Sequence, residues 1–141
     1  MSWELSHTAE TAASPREIWS RYADVAGWCE WSKRGVVSSE IHGPFTVGTT
    51  GRMKSPRSPT MSFELVAVEP DRSFVSQIRL PFARLRFEHV LDRSASGTRI
   101  THRVTLSGPL SSLYSPFVKR SIERGLADGV DRLGRLAQTS D

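Results

Sequence analysis

Between Val36 and Leu106 the chain is cut into six short runs by breaks rich in proline and glycine. After Gly108-Pro109 a single apolar stripe of helical period carries it nearly to its end. The runs are Val36–His42, stopped by Gly43-Pro44; Gly48–Ser55, stopped by Pro56; Met61–Glu69, stopped by Pro70-Asp71; Arg72–Leu80, stopped by Pro81; Ala83–Arg93, stopped by Ser94-Ala95-Ser96-Gly97; and Thr98–Leu106. Runs of this length with such boundaries read as strands. Trp3, Leu5, His7 and Ala9 alternate with Glu4, Ser6, Thr8 and Glu10, a period of two that places one more strand ahead of them. The links among the last six are too short for crossovers, so the sheet is antiparallel. Such a sheet needs cover on one face. The only segment long enough begins at Leu110 and carries Val118, Ile122, Leu126, Val130, Leu133 and Ala137 at spacings of three and four. The expected architecture is α+β: a curved seven-stranded antiparallel sheet around one long C-terminal helix, with residues 1–141 as a single domain. A sheet wrapped around one helix leaves a gap between them, where an apolar ligand would lie.

Two short helices are predicted after the first strand. Ser14-Pro15-Arg16-Glu17 combines an N-cap, a proline at the first helical position and a capping box, opening a helix through Ile18, Trp19 and Tyr22. Asp24 is expected to cap a second, through Trp28 and Trp31. Pro116 should start or kink the long helix. Gly125, Gly129 and Gly134 weaken that helix by about 1 kcal/mol each relative to Ala, and point either to close packing or to tolerated weakness.

Composition narrows the class. No apolar run reaches membrane-spanning length, and Met1-Ser2-Trp3-Glu4 passes straight into the first strand without a signal-peptide core, so the cytoplasm is the simplest compartment. One cysteine, Cys29, excludes an internal disulfide and a cysteine-built zinc site, and reads as an apolar filler. The formal charge is +4, with 16 Arg and 3 Lys making up the 19 basic residues. The densest points, Lys33-Arg34, Arg52-Met53-Lys54 and Lys119-Arg120, are separated by acids, so no nucleic-acid partner is expected. No phosphate-binding glycine loop or serine elbow is present, and no cofactor is called for.

Several segments carry a family likeness: Ala13-Ser14-Pro15-Arg16-Glu17-Ile18-Trp19; Trp28-x-x-Trp31 after Asp24; Gly43-Pro44-Phe45-x-Val47-Gly48-Thr49; Val68-Glu69-Pro70-x-Arg72-Ser73-Phe74; and Gly97-Thr98-Arg99-Ile100-Thr101-His102. With these the chain resembles, over nearly its whole length, the START/Bet v 1-like (SRPBCC) superfamily of the helix-grip fold. Within that superfamily it resembles the polyketide cyclase/dehydrase and lipid-transport-like family of small bacterial proteins. The resemblance implies a hydrophobic pocket. Members of that family include binders, transporters and cyclases, and no family-wide catalytic set comes with the likeness.

Charge fixes a register. If facing residues on the last two strands sum to 191, Asp92 meets Arg99 and Glu88 meets Arg103. The same register sets Leu91 against Ile100, Phe87 against Val104, Leu85 against Leu106 and His89 against His102, putting two histidines side by side on the apolar face. His7 shares the parity of Trp3 and Leu5. The first and last strands are neighbours in the resembled fold, which brings His7 toward His102. His42 has outward parity.

Four uses of these histidines stand open: hydrogen-bonding readout of a ligand, paired acid/base catalysis, a three-histidine metal site, or buried packing satisfied by neighbours such as Ser76 and Thr11. Parity supplies the other walls: Met61, Phe63, Leu65 and Ala67 on one strand; Phe74, Ser76, Ile78 and Leu80 on the next, facing partners summing to 141; Met53 on the strand before; Leu126 and Val130 on the helix; and Trp31 as an aromatic at the mouth. No acid points inward, since Glu4, Glu64 and Glu88 have outward parity, and Arg79, Arg84, Arg86 and Arg103 share that outer face. The expected function is a small-molecule binding or carrier protein for an aromatic, polyketide-like or lipid compound, as a monomer or homodimer. The alternative is a cyclase or dehydratase using the histidines as acid and base.

Overall fold

The computed structural model of the chain describes residues 2–32, 35–56 and 58–138. The basic pair Lys33-Arg34 lies outside the described residues. Strand β1 (Ser2–Thr11) leads into helix α1 (Pro15–Ala23), a single 3₁₀ turn (Val25–Gly27) and helix α2 (Trp28–Trp31). Strands β2 (Ser38–Ile41), β3 (Thr50–Lys54), β4 (Met61–Glu69), β5 (Ser73–Leu80), β6 (Ala83–Ser94) and β7 (Gly97–Ser107) follow, and helix α3 (Ser111–Gln138) ends the described chain. The strands form one antiparallel sheet in the order β1-β7-β6-β5-β4-β3-β2. This is the α+β helix-grip arrangement that the strand runs and the helical stripe imply.

The local signals act as expected at α1. Ser14 Oγ accepts from Glu17 N–H at 3.2 Å, and Glu17 Oε1 accepts from Ser14 N–H at 3.0 Å, closing the capping box. The second helix differs. The Asp24 side chain makes no capping bond; a 3₁₀ turn intervenes, and α2 begins only at Trp28. Helix α3 starts before Pro116 and runs through it. Two of its glycines are close-packing sites. Gly134 lies against Thr11, whose hydroxyl donates to the Gly134 carbonyl at 2.8 Å, and Gly129 faces the end of α2 at Trp31 and Ser32. Helix α3 thus packs along β1 and β7 and against α1 and α2.

The β6–β7 ladder has the register read from charge, with Glu88 opposite Arg103, Asp92 opposite Arg99 and His89 opposite His102. Arg103 reaches Glu88 at 3.6 Å and Glu4 at 3.5 Å, whereas Arg99 reaches across to Glu10 on β1 at 3.3 Å. The β4–β5 ladder departs from expectation. Leu65 faces Ser76 as the sum of 141 requires, but a bulge between Leu65 and Ala67 shifts the turn end by one residue. Ala67 is therefore exposed, and Val68 faces Phe74 in its place.

Candidate functional site

The inward faces of β5, β6 and β7 bring Phe74, His89 and His102 into line across the sheet. Phe74 and His89 stack with ring centres 3.9 Å apart and planes within 4°. His89 and His102 meet edge to face at 4.6 Å. Over this row, α1 lays Tyr22 and α2 lays Trp28 and Trp31. Tyr22 sits 4.9 Å from Phe74, 5.4 Å from His89 and 5.9 Å from Trp31. Trp28 lies over Phe63 at 5.4 Å, and Phe45 and Trp19 close on Phe74 from the side. The expected gap between sheet and helices is, at this end, filled with rings. Large aromatic side chains pack this way because each buries much apolar area and prefers offset or edge contacts.

Polar groups inside this cluster are few. Tyr22 Oη and His102 Nε2 are 2.8 Å apart, the direction of the bond being set by the His102 tautomer. His89 Nδ1 faces the Phe74 carbonyl oxygen at 3.4 Å. Trp28 Nε1 donates to the Tyr22 carbonyl at 2.9 Å. The Trp31 indole N–H is buried and has no hydrogen-bond partner among the described residues, although its ring lies 5.7 Å from His102. Burial holds His89 neutral, lowering its pKa from 6.5 to about 3 against weaker opposing bonds to the backbone of Phe74 and Phe87. Burial also pushes His102 well below its ordinary value, with the charges of His89 and His7 adding to it, and raises the Tyr22 phenol well above 10.0.

The expected site residues divide. His89, His102, Phe74, Trp31 and Phe63 share the ring cluster, and Leu65, Ser76, Ile78 and Val130 are buried around it. Phe87, Met53 and Leu126 are only partly buried at the border of the core. His7 faces His102 in the ladder, as its parity implied, but its side chain is 40% exposed and its Nε2 lies 3.8 Å from Asp131 Oδ1 on α3. It belongs to the rim, not to the cluster. No three His, Cys, Asp or Glu among the described residues are grouped to hold a metal ion. His42 is exposed beside Glu40.

Tyr22, Trp19, Trp28 and Phe45 are in the cluster but not among the site residues expected from the sequence, and of these Tyr22 carries the polar contact to His102. Its signal was present: Ile18 and Tyr22, four apart on α1, share its buried face.

The sheet also opens. Met61, Gly51, Phe63 and Met53 pair β4 with β3, and Ile78, Arg79 and Leu80 pair β5 with β6, but the β4–β5 ladder begins only at Glu64 and Gln77. Between the two strand ends lies a cleft of about 370 Å³ lined by Phe63, Glu64, Gln77, Ile78 and Arg79, of which Phe63, Gln77 and Ile78 are buried.

Fold and site together define a helix-grip protein whose interior is a wall of aromatic rings around two neutral imidazoles. The chain matches the family described as polyketide cyclase/dehydrase and lipid transport over residues 2–138, and it belongs to that family. The aromatase/cyclase ZhuI from Streptomyces sp. R1128 superposes with a TM-score of 0.80 at 13% identity, covering 98% of this chain and 94% of that one. Norcoclaurine synthase from Thalictrum flavum gives 0.74 at 16% identity, covering 99% and 88%. Protein MLL2253 from Mesorhizobium loti gives 0.71 at 16% identity, covering 99% of both. At these identities the likeness is one of fold. No curated protein matches the chain. Among the described residues, no helix is long and apolar enough to cross a membrane.

Proposed function

We propose that this chain binds a small aromatic compound carrying an oxygen acceptor, of polyketide or phenolic type, against the ring cluster beside His89 and His102, with the packed rings shifting to admit it. The observation that carries this reading is the buried Trp31 N–H, which has no acceptor among the described residues. A buried unpaired donor costs about 1–3 kcal/mol, which a ligand oxygen would recover. The surrounding rings offer flat apolar contact, and the cleft between β4 and β5 offers a way in past Phe63 and Ile78. Norcoclaurine synthase, which shares the fold, has been solved with dopamine and hydroxybenzaldehyde, both small aromatics. Binding is favoured over acid/base catalysis because an imidazole held near pKa 3 is almost never protonated at neutral pH and no inward carboxylate assists it. A cyclase-type enzyme is the second reading, favoured by the 2.8 Å Tyr22–His102 contact, which joins a proton donor to an acceptor.

Calorimetric titration with 2-naphthol and naphthalene tests the proposal. We expect naphthol to bind more tightly, and Trp31→Phe to weaken naphthol about tenfold while leaving naphthalene unchanged. Equal affinity for the two compounds, or no binding of either, would overturn it.

A further inference from the structure

Phe82 puts an exposed ring where the turn would favour glycine. It sits in the β5–β6 turn at φ 57, the left-handed region that bulky side chains avoid, and its side chain is 72% exposed. The two-residue turn between Leu80 and Ala83 sets the φ, but nothing in the core rewards the exposed ring. The turn is tied to the start of α3: Leu110 N–H donates to the Phe82 carbonyl at 3.1 Å, and the Tyr114 hydroxyl donates to the Pro81 carbonyl at 3.2 Å. This places exposed Leu110 and Leu113, the latter 62% exposed, at the same end of the molecule as Phe82. Leu113, Pro116 and Arg120 are all exposed and spaced three and four apart, so they continue the patch along one outer stripe of α3.

Cations predominate along the segments that form this tip, although Glu64 lines the β4–β5 cleft together with Arg79. Residues 78–87 and 104–122 contain no Asp or Glu, but they contain Arg79, Arg84, Arg86, Lys119 and Arg120. Arg79 and Arg84 face each other directly across β5 and β6, a like-charge pair that destabilises the free sheet. Arg86 is bonded to the neutral Gln77 at 2.8 Å. Among the described residues, Arg79, Arg84, Lys119 and Arg120 make no ion pair.

We infer that this tip docks onto an anionic lipid surface, with Phe82, Leu110 and Leu113 entering the headgroup boundary and the cations resting on lipid phosphates and carboxylates. Exposed apolar prongs on segments rich in cations need no shape-matched partner, and they gain from both burial and surface potential. An acidic protein would ask for a shaped recess around Phe82, and a nucleic acid would leave the leucines unused. The inference is independent of what occupies the ring cluster.

Co-sedimentation with phosphatidylcholine vesicles, with and without about 30 mol% phosphatidylserine, tests it. The expected result is binding only to the anionic vesicles, weakening as salt is raised. Phe82→Gly removes the prong and suits the turn's backbone, so it should fold at least as well and lose about tenfold or more in partitioning. Leu113→Ser should lose part of it, and Arg79→Glu should lose it while removing the like-charge pair. Equal binding to neutral and anionic vesicles, or a Phe82→Gly protein that partitions like the parent, would overturn the inference. So would retention on immobilised duplex DNA that depends as strongly on Phe82.

Discussion

Tyr22 and His102 show how a single polar contact organises an apolar interior. Both are buried, both are held neutral by burial, and each supplies the other's hydrogen bond at 2.8 Å. Removing one partner leaves the other orphaned, whereas removing both leaves only a packing change. Tyr22→Phe is therefore expected to destabilise the protein by about 1–3 kcal/mol in urea unfolding. The Tyr22→Phe/His102→Leu double variant should be less destabilised than the two single effects summed, since the residues touch. Additive losses would show that the contact contributes nothing. The parity of β7 announced His102, but its partner came from a different element. No spacing rule within the sheet identifies which helix residue lies above a given strand position; only the Ile18–Tyr22 pair on α1 marked the face from which that partner would come.

At the scale of elements, β3 is held against β4 by the absence of a side chain. A Cβ at Gly51 would meet the Glu40 carbonyl oxygen and the Phe63 ring, so Phe63 lies flat across the strand only because Gly51 is there. Gly51→Ala should cost about 1–3 kcal/mol through overpacking, read as a lower urea midpoint with unchanged slope. A neutral effect would mean that Phe63 turns freely into the β4–β5 cleft. The elements themselves were largely legible, because proline and glycine break the chain between strands and opposed charges on β6 and β7 admit one register. The bulge at Val66 was not, since Met61 to Ala67 alternates cleanly and nothing local marks the extra residue that turns Ala67 outward. Nor was the filling of the sheet–helix gap. Periodicity shows which side chains point inward, but not how far helices α1 and α2 press down upon them.

Across the whole molecule, charge and neutrality are sorted by side of the sheet. Arg99 and Arg103 and their carboxylate partners occupy the outer face, and the inner face carries two imidazoles that must stay uncharged. That sorting makes the fold sensitive to mild acid. Unfolded histidine has a pKa near 6.5, whereas His89 in the fold is lowered to about 3 and His102 is also held well down. Below pH 6.5 the unfolded chain therefore binds protons that the folded chain refuses, and stability falls as pH falls. The contribution is fully present above the unfolded value and is lost toward the folded one. His89 adds a slope approaching about 1.4 kcal/mol per pH unit in the window between about 6 and 5, above most of the range where carboxylates titrate, and His102 adds to it in the same direction. Unfolding free energies should thus be level, on this account, above pH 7 and drop steeply below pH 6. His89→Gln should reduce the slope, and His89→Gln/His102→Gln should reduce it further and nearly flatten it above about pH 5. An unchanged slope in the double variant would assign the acid sensitivity to groups outside the ring cluster.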